Sequence, residues 1–129
     1  HEGWDIYADV GTDCKAVVDG TITHAEQSSG AGDYVILTSS SDSNKKYYYM
    51  HLSSREPVGQ VTKGDKVGKV GTSGYNVTTR PHLHFAVKES GTYVDPDGKG
   101  FTKPTSVRSA NGVVTTIDYS EQEPCTPCS

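Results

Sequence analysis

The chain reads as mainly antiparallel β structure, an all-β sandwich or barrel with at most a turn of helix. Three observations predict it. Turn signals recur about every 8–12 residues, at Asp19-Gly20, Gly30-Ala31-Gly32, 39–44, Lys63-Gly64-Asp65, 71–74 and 89–91. No stretch long enough for a helix shows apolar residues at i, i+3, i+4 and i+7. Of 129 residues 33 % are hydrophobic, with 14 Gly, 8 Tyr and only 3 Leu, whereas a helical bundle needs a wide stripe of Leu and Ala.

Short β-rich segments follow one another along the chain. The first spans 15–23, and the second, 33–39, contains the apolar run 34–37. The third, 45–52, holds Tyr47, Tyr48 and Tyr49 ahead of His51. Side chains alternate across a strand, so Tyr48 shares a face with Met50 and Leu52, and Tyr47 and Tyr49 share that of His51. Core packing on one face and the lining of a groove on the other, there by Tyr47 and Tyr49, can then both hold. The fourth segment is 66–70. In the fifth, 82–88, Leu83, Phe85 and Val87 form a core face. From about Asp97 the chain turns rich in Gly, Pro and Ser. The expected organisation is one domain over 1–96 and an extension over 97–129. Within the extension, β-branched residues predict one further strand over 113–119, and 120–129 is a frayed polar end.

Composition also excludes function classes. Lys and Arg number 12 against 16 Asp and Glu, a formal charge of −4 with no basic block. Phosphate contacts need concentrated cations, so no nucleic acid partner is expected. The longest apolar runs, 34–37 and 47–50, have four residues each, against the roughly 20 of a membrane span. The chain starts at His1 without an initiator Met, as expected of a processed product or a cut segment. Three Cys, an odd number, argue against a fully paired disulfide framework. Cys14 is expected to be a buried, inert thiol. Cys125-Thr126-Pro127-Cys128 has CxxC spacing without a second ligand pair or a strand–helix context, and the redox compartment stays open.

Chemistry concentrates in the five histidines. On a strand His82 and His84 project from one face and Leu83 from the other, a ready pair for metal ligation or proton transfer. By itself HxH is a weak signal, met equally by two exposed polar residues. His1-Glu2-Gly3-Trp4-Asp5 supplies a second pair at i, i+4. It resembles the start of HExxH, but Asp5 stands where the second His should be. Imidazole and carboxylate both ligate Zn²⁺, and the two pairs together can supply three ligands with one position open, as a catalytic zinc site needs, or four, as a structural one has. His24 reads as a surface histidine. Gly71-Thr72-Ser73-Gly74 is not a GxSxG nucleophile elbow, since no helix follows it, and reads as a flexible turn.

Taken in order, His1-x-x-x-Asp5-Ile6, Gly11-Thr12, Ala16, Asp19-Gly20-Thr21-Ile22, Tyr49-x-His51-Leu52, Val61-x-Lys63-Gly64-Asp65 and Pro81-His82-Leu83-His84-Phe85 form a pattern. It resembles the lysostaphin-type, LytM-like zinc endopeptidases that hydrolyse peptidoglycan. The likeness runs from His1 to Val94-Asp95-Pro96, and 68–74 resembles the family's glycine-rich approach to its HLHF strand. The resemblance implies a compact antiparallel β-sandwich, duplicated-hybrid-motif-like, with a groove over the metal. It implies one Zn²⁺ per chain held by His1, Asp5 and His84, with His51 and His82 as catalytic histidines. Peptidoglycan stem peptides or cross-bridges would be the substrate, in a protein secreted to, or held in, a bacterial envelope or carried by a phage virion. A segment before His1 would help wall the groove and could engage an envelope protein partner.

With Asp5 in place of the second His and Gly3 against a helix, the HExxH reading that would make Glu2 the base falls away; His51 or His82 must handle protons, and an imidazole suits that task. Which one is the base stays open. Three rivals stand beside this reading. A non-catalytic wall- or partner-binding module of the same fold is countered by retention of all five polar positions. A phosphocarrier would use two histidines for phosphoryl transfer without the HLHF pair as a zinc site. A lipoyl-like carrier rests on Lys63-Gly64-Asp65 alone.

Overall fold

The structure, a computed structural model, describes residues 4–7, 10–27, 32–73 and 82–94, with the backbone alone for 4–7 and 27. Ten strands are present among them: β1 (Trp4–Tyr7), β2 (Asp13–Lys15), β3 (Gly20–Gln27), β4 (Gly32–Ser39), β5 (Lys45–Met50), β6 (Leu52–Arg55), β7 (Gly59–Val61), β8 (Lys66–Val70), β9 (His82–Glu89) and β10 (Thr92–Val94). They form two antiparallel sheets. The larger runs β1-β9-β5-β4-β3-β7, with β10 also on β9, and the smaller runs β2-β8-β6.

Strand alternation builds the core between the sheets. Val35 and Leu37 of β4, Tyr47 and Tyr49 of β5 and Leu83, Phe85 and Val87 of β9 are buried on the inner face of the large sheet. Cys14, Leu52, Val67 and Val70 of the small sheet join the same cluster. Each large apolar side chain so buried contributes roughly 1.5–3 kcal/mol. The predicted sandwich and the predicted core face of 82–88 are thus present. Burial pushes the Cys14 thiol far up, so it stays protonated and inert. At the surface, the Lys69 ammonium 2.8 Å from Asp13 holds that carboxyl below its usual range. His24 is exposed, its Nε2 2.6 Å from the Glu56 carbonyl oxygen.

Two predicted segments divide. The stretch 15–23 is not one strand: β2 ends at Lys15 in the small sheet, and β3 begins at Gly20 in the large one. Between them the Ala16 N–H donates to the Asp65 carbonyl (2.7 Å) and the Val17 N–H to the Tyr49 hydroxyl (3.1 Å). At Gly20 a Cβ would collide with the Thr38 carbonyl, so only glycine lets β3 start this close to β4. The stretch 45–52 divides at His51, whose φ of 66° turns the chain from β5 to β6. The loop between β9 and β10 is Ser90-Gly91, both with positive φ, as a type I′ hairpin turn requires. The strand expected over 113–119 and the tail beyond it lie outside the described residues.

Tyr49 ties the crossover to the large sheet. Its hydroxyl donates to the Lys15 carbonyl at 3.0 Å while accepting from Val17 N–H, and burial pushes its pKa well above the ordinary value. Tyr49→Phe should therefore lose about 1–3 kcal/mol, because it leaves a buried N–H and a carbonyl without their partner. Chemical denaturation with an unchanged m-value is the check; a midpoint equal to that of the parent chain would contradict it.

Candidate active site

Strand β9 sits between β1 and β5, and its register sets the site. Asp5 pairs with His84 and Tyr7 with His82 on the β1 side, and Met50 pairs with His84 on the β5 side. His82 also forms an isolated bridge with Gly71. Both imidazoles belong to the outer face, half-buried, while the intervening Leu83 is fully buried. The alternation read from HLH is therefore realised.

His51 reaches the same place by a different route. Its left-handed backbone conformation is unfavourable for a residue with a Cβ, by roughly 1–2 kcal/mol, and non-glycine strain of this kind concentrates at functional sites. The turn brings the His51 ring to 5.0 Å from that of His82 and 6.2 Å from that of His84, centroid to centroid, both nearly edge-on. Three of the five predicted site residues thus converge on one corner. The fourth, Asp5, occupies the register position opposite His84. His1 lies outside the described residues.

Ser73, read in the sequence only as part of a flexible turn, organises this corner. Its carbonyl oxygen accepts from His51 Nδ1 at 2.8 Å. Because a carbonyl only accepts, Nδ1 carries the hydrogen, and in the neutral ring Nε2 keeps its lone pair. The Ser73 hydroxyl donates to the Leu52 carbonyl at 2.8 Å and accepts from Asp33 N–H at 3.0 Å. Residues 71–73 are consequently an anchored strut, not the flexible turn expected. Gly71 permits it, since a Cβ there would collide with the Ser53 backbone. The sequence signal was the Gly-x-Ser spacing just after a strand, legible only once its partner strand is known.

The groove assignment of Tyr47 and Tyr49 is corrected. They are 2 % and 0 % exposed and pack on Phe85, with ring centroids 6.3 and 5.4 Å away. Strand parity was right, but the positive φ at His51 breaks it, so His51 does not share their face. Tyr48, on the opposite face, stacks on Tyr34 and meets Tyr93 at a tilt of 59°.

Among the described residues no group of three His, Cys, Asp or Glu side chains is placed to hold a metal ion. Of the residues that the resemblance assigns to zinc, His1, Asp5 and His84, only His84 has a described side chain. The chemistry of that set, two imidazoles and a carboxylate, fits Zn²⁺, and the Asp5–His84 register is compatible with it.

Residues 1–96 match peptidase family M23. The chain belongs to that family. The M23 chain is 34 % identical over 119 residues to lysostaphin of Staphylococcus simulans, across 89 % of this chain and 24 % of that protein. It is 38 % identical over 87 residues to glycyl-glycine endopeptidase ALE-1 of Staphylococcus capitis, across 66 % of this chain and 24 % of that one. The chain thus spans about a quarter of the length of these relatives. Among solved structures, the catalytic domain of S. simulans lysostaphin aligns with TM-score 0.65 and 34 % identity over 74 % of this chain and 75 % of that one. A point variant of the catalytic domain of EnpA, a prophage-encoded M23 protein of Enterococcus faecalis, aligns with TM-score 0.68 and 30 % identity over 78 % of each chain. The antiparallel two-sheet architecture is the fold of these M23 catalytic domains. No helix among the described residues is long and apolar enough to cross a membrane.

Proposed function

We propose that this M23 chain is the catalytic domain of a zinc-dependent endopeptidase that cleaves peptide bonds in bacterial peptidoglycan, acting in the cell envelope or outside the cell. The observation that carries the reading is the convergence of His51, His82 and His84 at one corner. Relatives named lysostaphin and glycyl-glycine endopeptidase support the substrate class. His1, Asp5 and His84 are the proposed zinc ligands. When bound, zinc supplies Lewis acidity toward a peptide carbonyl and lowers the pKa of water to about 7.

The protein's own part is proton handling and orientation. With Nδ1 donating to Ser73, His51 keeps the Nε2 lone pair for proton transfer and is the proposed general base. His82, edge-on to it at 5.0 Å, is the group to stabilise the developing oxyanion or protonate the leaving amine. The test is digestion of purified sacculi of defined cross-bridge chemistry, with released fragments identified by mass spectrometry. Peptide fragments with new amino termini, absent after chelation, are expected. Intact stem peptides and bridges would overturn the reading in favour of a binding module.

A positioning role for Ser73 follows from its three hydrogen bonds. Ser73→Ala should lower kcat roughly 10-fold, the order seen when an outer support of a site histidine is removed. Ser73→Thr keeps the hydroxyl and should restore most of it. Steady-state kinetics on one substrate decide the matter; a wild-type kcat in Ser73→Ala contradicts it.

A further inference from the structure

The histidine-bearing face of the large sheet continues past the candidate active site into a second, unassigned feature. Lys46 and Lys88 stand directly opposite each other across β5 and β9. Like charges so placed repel. The chain has acid to spare, 16 Asp and Glu against 12 Lys and Arg, and Lys66, Lys69 and Arg55 each pair with a carboxylate. Among the described residues Lys46 and Lys88 do not. The Lys88 ammonium lies 4.7 Å from the Tyr93 ring centre and 5.4 Å from that of Tyr48, within cation–π range. Lys46 donates to the Thr38 hydroxyl at 3.2 Å. Ring and hydroxyl orient the two cations without neutralising them. Both line an open cavity of about 380 Å³, lined also by Ser43, Asn44, Tyr48 and the Ser90-Gly91 turn.

We propose that this cavity is an anion subsite of the peptidase, in which Lys46 and Lys88 receive a carboxylate of an acidic peptide substrate. The inference rests on the peptidase reading above and adds to it a chemical preference. Strand parity puts His84, Ala86 and Lys88 on one face, and four residues of strand span roughly 13 Å. Ala86 and its cross-strand neighbour Tyr48 are buried between them, so an extended peptide passes above these two side chains and covers the distance in about four residues. The substrate carboxylate therefore sits about four residues from the bond cleaved. The Lys pair selects acidic peptides over their amidated counterparts.

The experiment titrates the zinc-loaded full chain, followed by amide NMR, with acetyl-tetraglycyl-glutamyl amide and with its glutaminyl counterpart. Blocked ends leave the glutamate as the only charge. The acidic probe should bind roughly 3–10-fold more tightly, the range of a half-buried charge pair, shifting Lys46, Tyr48 and Lys88, with a preference that shrinks as salt is raised. In the Lys46→Gln/Lys88→Gln double variant the two probes should bind equally. Equal affinity for the parent chain, or shifts confined to other residues, overturns the proposal. So does inorganic phosphate moving the same residues while the two peptides stay indistinguishable, which would mark a phosphate site instead. Binding is read on the subsite itself, so its failure is separate from a failure to cleave sacculi.

Discussion

His84→Ala is expected to cost the protein both its zinc and its cleavage activity. His84 is the proposed ligand whose neighbours are best defined: Asp5 is its register partner on β1 and Met50 on β5. Removing its imidazole leaves two of three protein ligands, too few for a stable catalytic zinc site. Activity should fall by more than the roughly 10–100-fold that loss of an outer support costs. The fold should survive, because His84 belongs to the half-buried outer face and the core residues Leu83 and Phe85 flank it unchanged. Metal content by elemental analysis, with circular dichroism as the control for folding, reads the outcome. Full zinc occupancy in His84→Ala would remove it from the ligand set. Asp5→Ala should behave in the same way.

At His51 the expected pattern is different: zinc stays and turnover goes. Loss of a general base or acid typically costs about 10²–10⁴-fold, so His51→Ala and His82→Ala should fall in that range with metal retained. The backbone at His51 allows a sharper test. Its φ of 66° suits glycine and disfavours any residue with a Cβ. His51→Gly should therefore be more stable than His51→Ala by about 1 kcal/mol, while both are inactive. Such a result would mean that the corner is strained to place the imidazole, a trade of stability against activity. Equal stability of the two variants would show that the corner costs nothing, and wild-type turnover in either would remove His51 from the mechanism.

Much of this was legible beforehand because β structure writes itself into sequence with period two. HLHF places two imidazoles on one face and two apolar residues on the other whatever strand it pairs with, and β9 realises that arrangement. The turn rhythm and the absence of a helical stripe were enough for the fold class. The ordered motifs from His1 to Pro96 were enough for the family. These are local properties, repeated along the chain, and no partner is needed to read them.

What tertiary structure decided is everything that depends on which face turns inward and which distant segment arrives. Alternation grouped Tyr47 with Tyr49 correctly, yet only the small sheet packing on that face makes them core and not groove. A single residue in the left-handed region, His51, ends one strand and begins another in a different sheet, and no hydrophobic period marks it. Ser73 and the Lys46–Lys88 pair lie 22 and 42 positions from the residues they meet. Hydrogen bonds and charge pairs of that kind are set by sheet register, which the chain acquires only when both strands are in place.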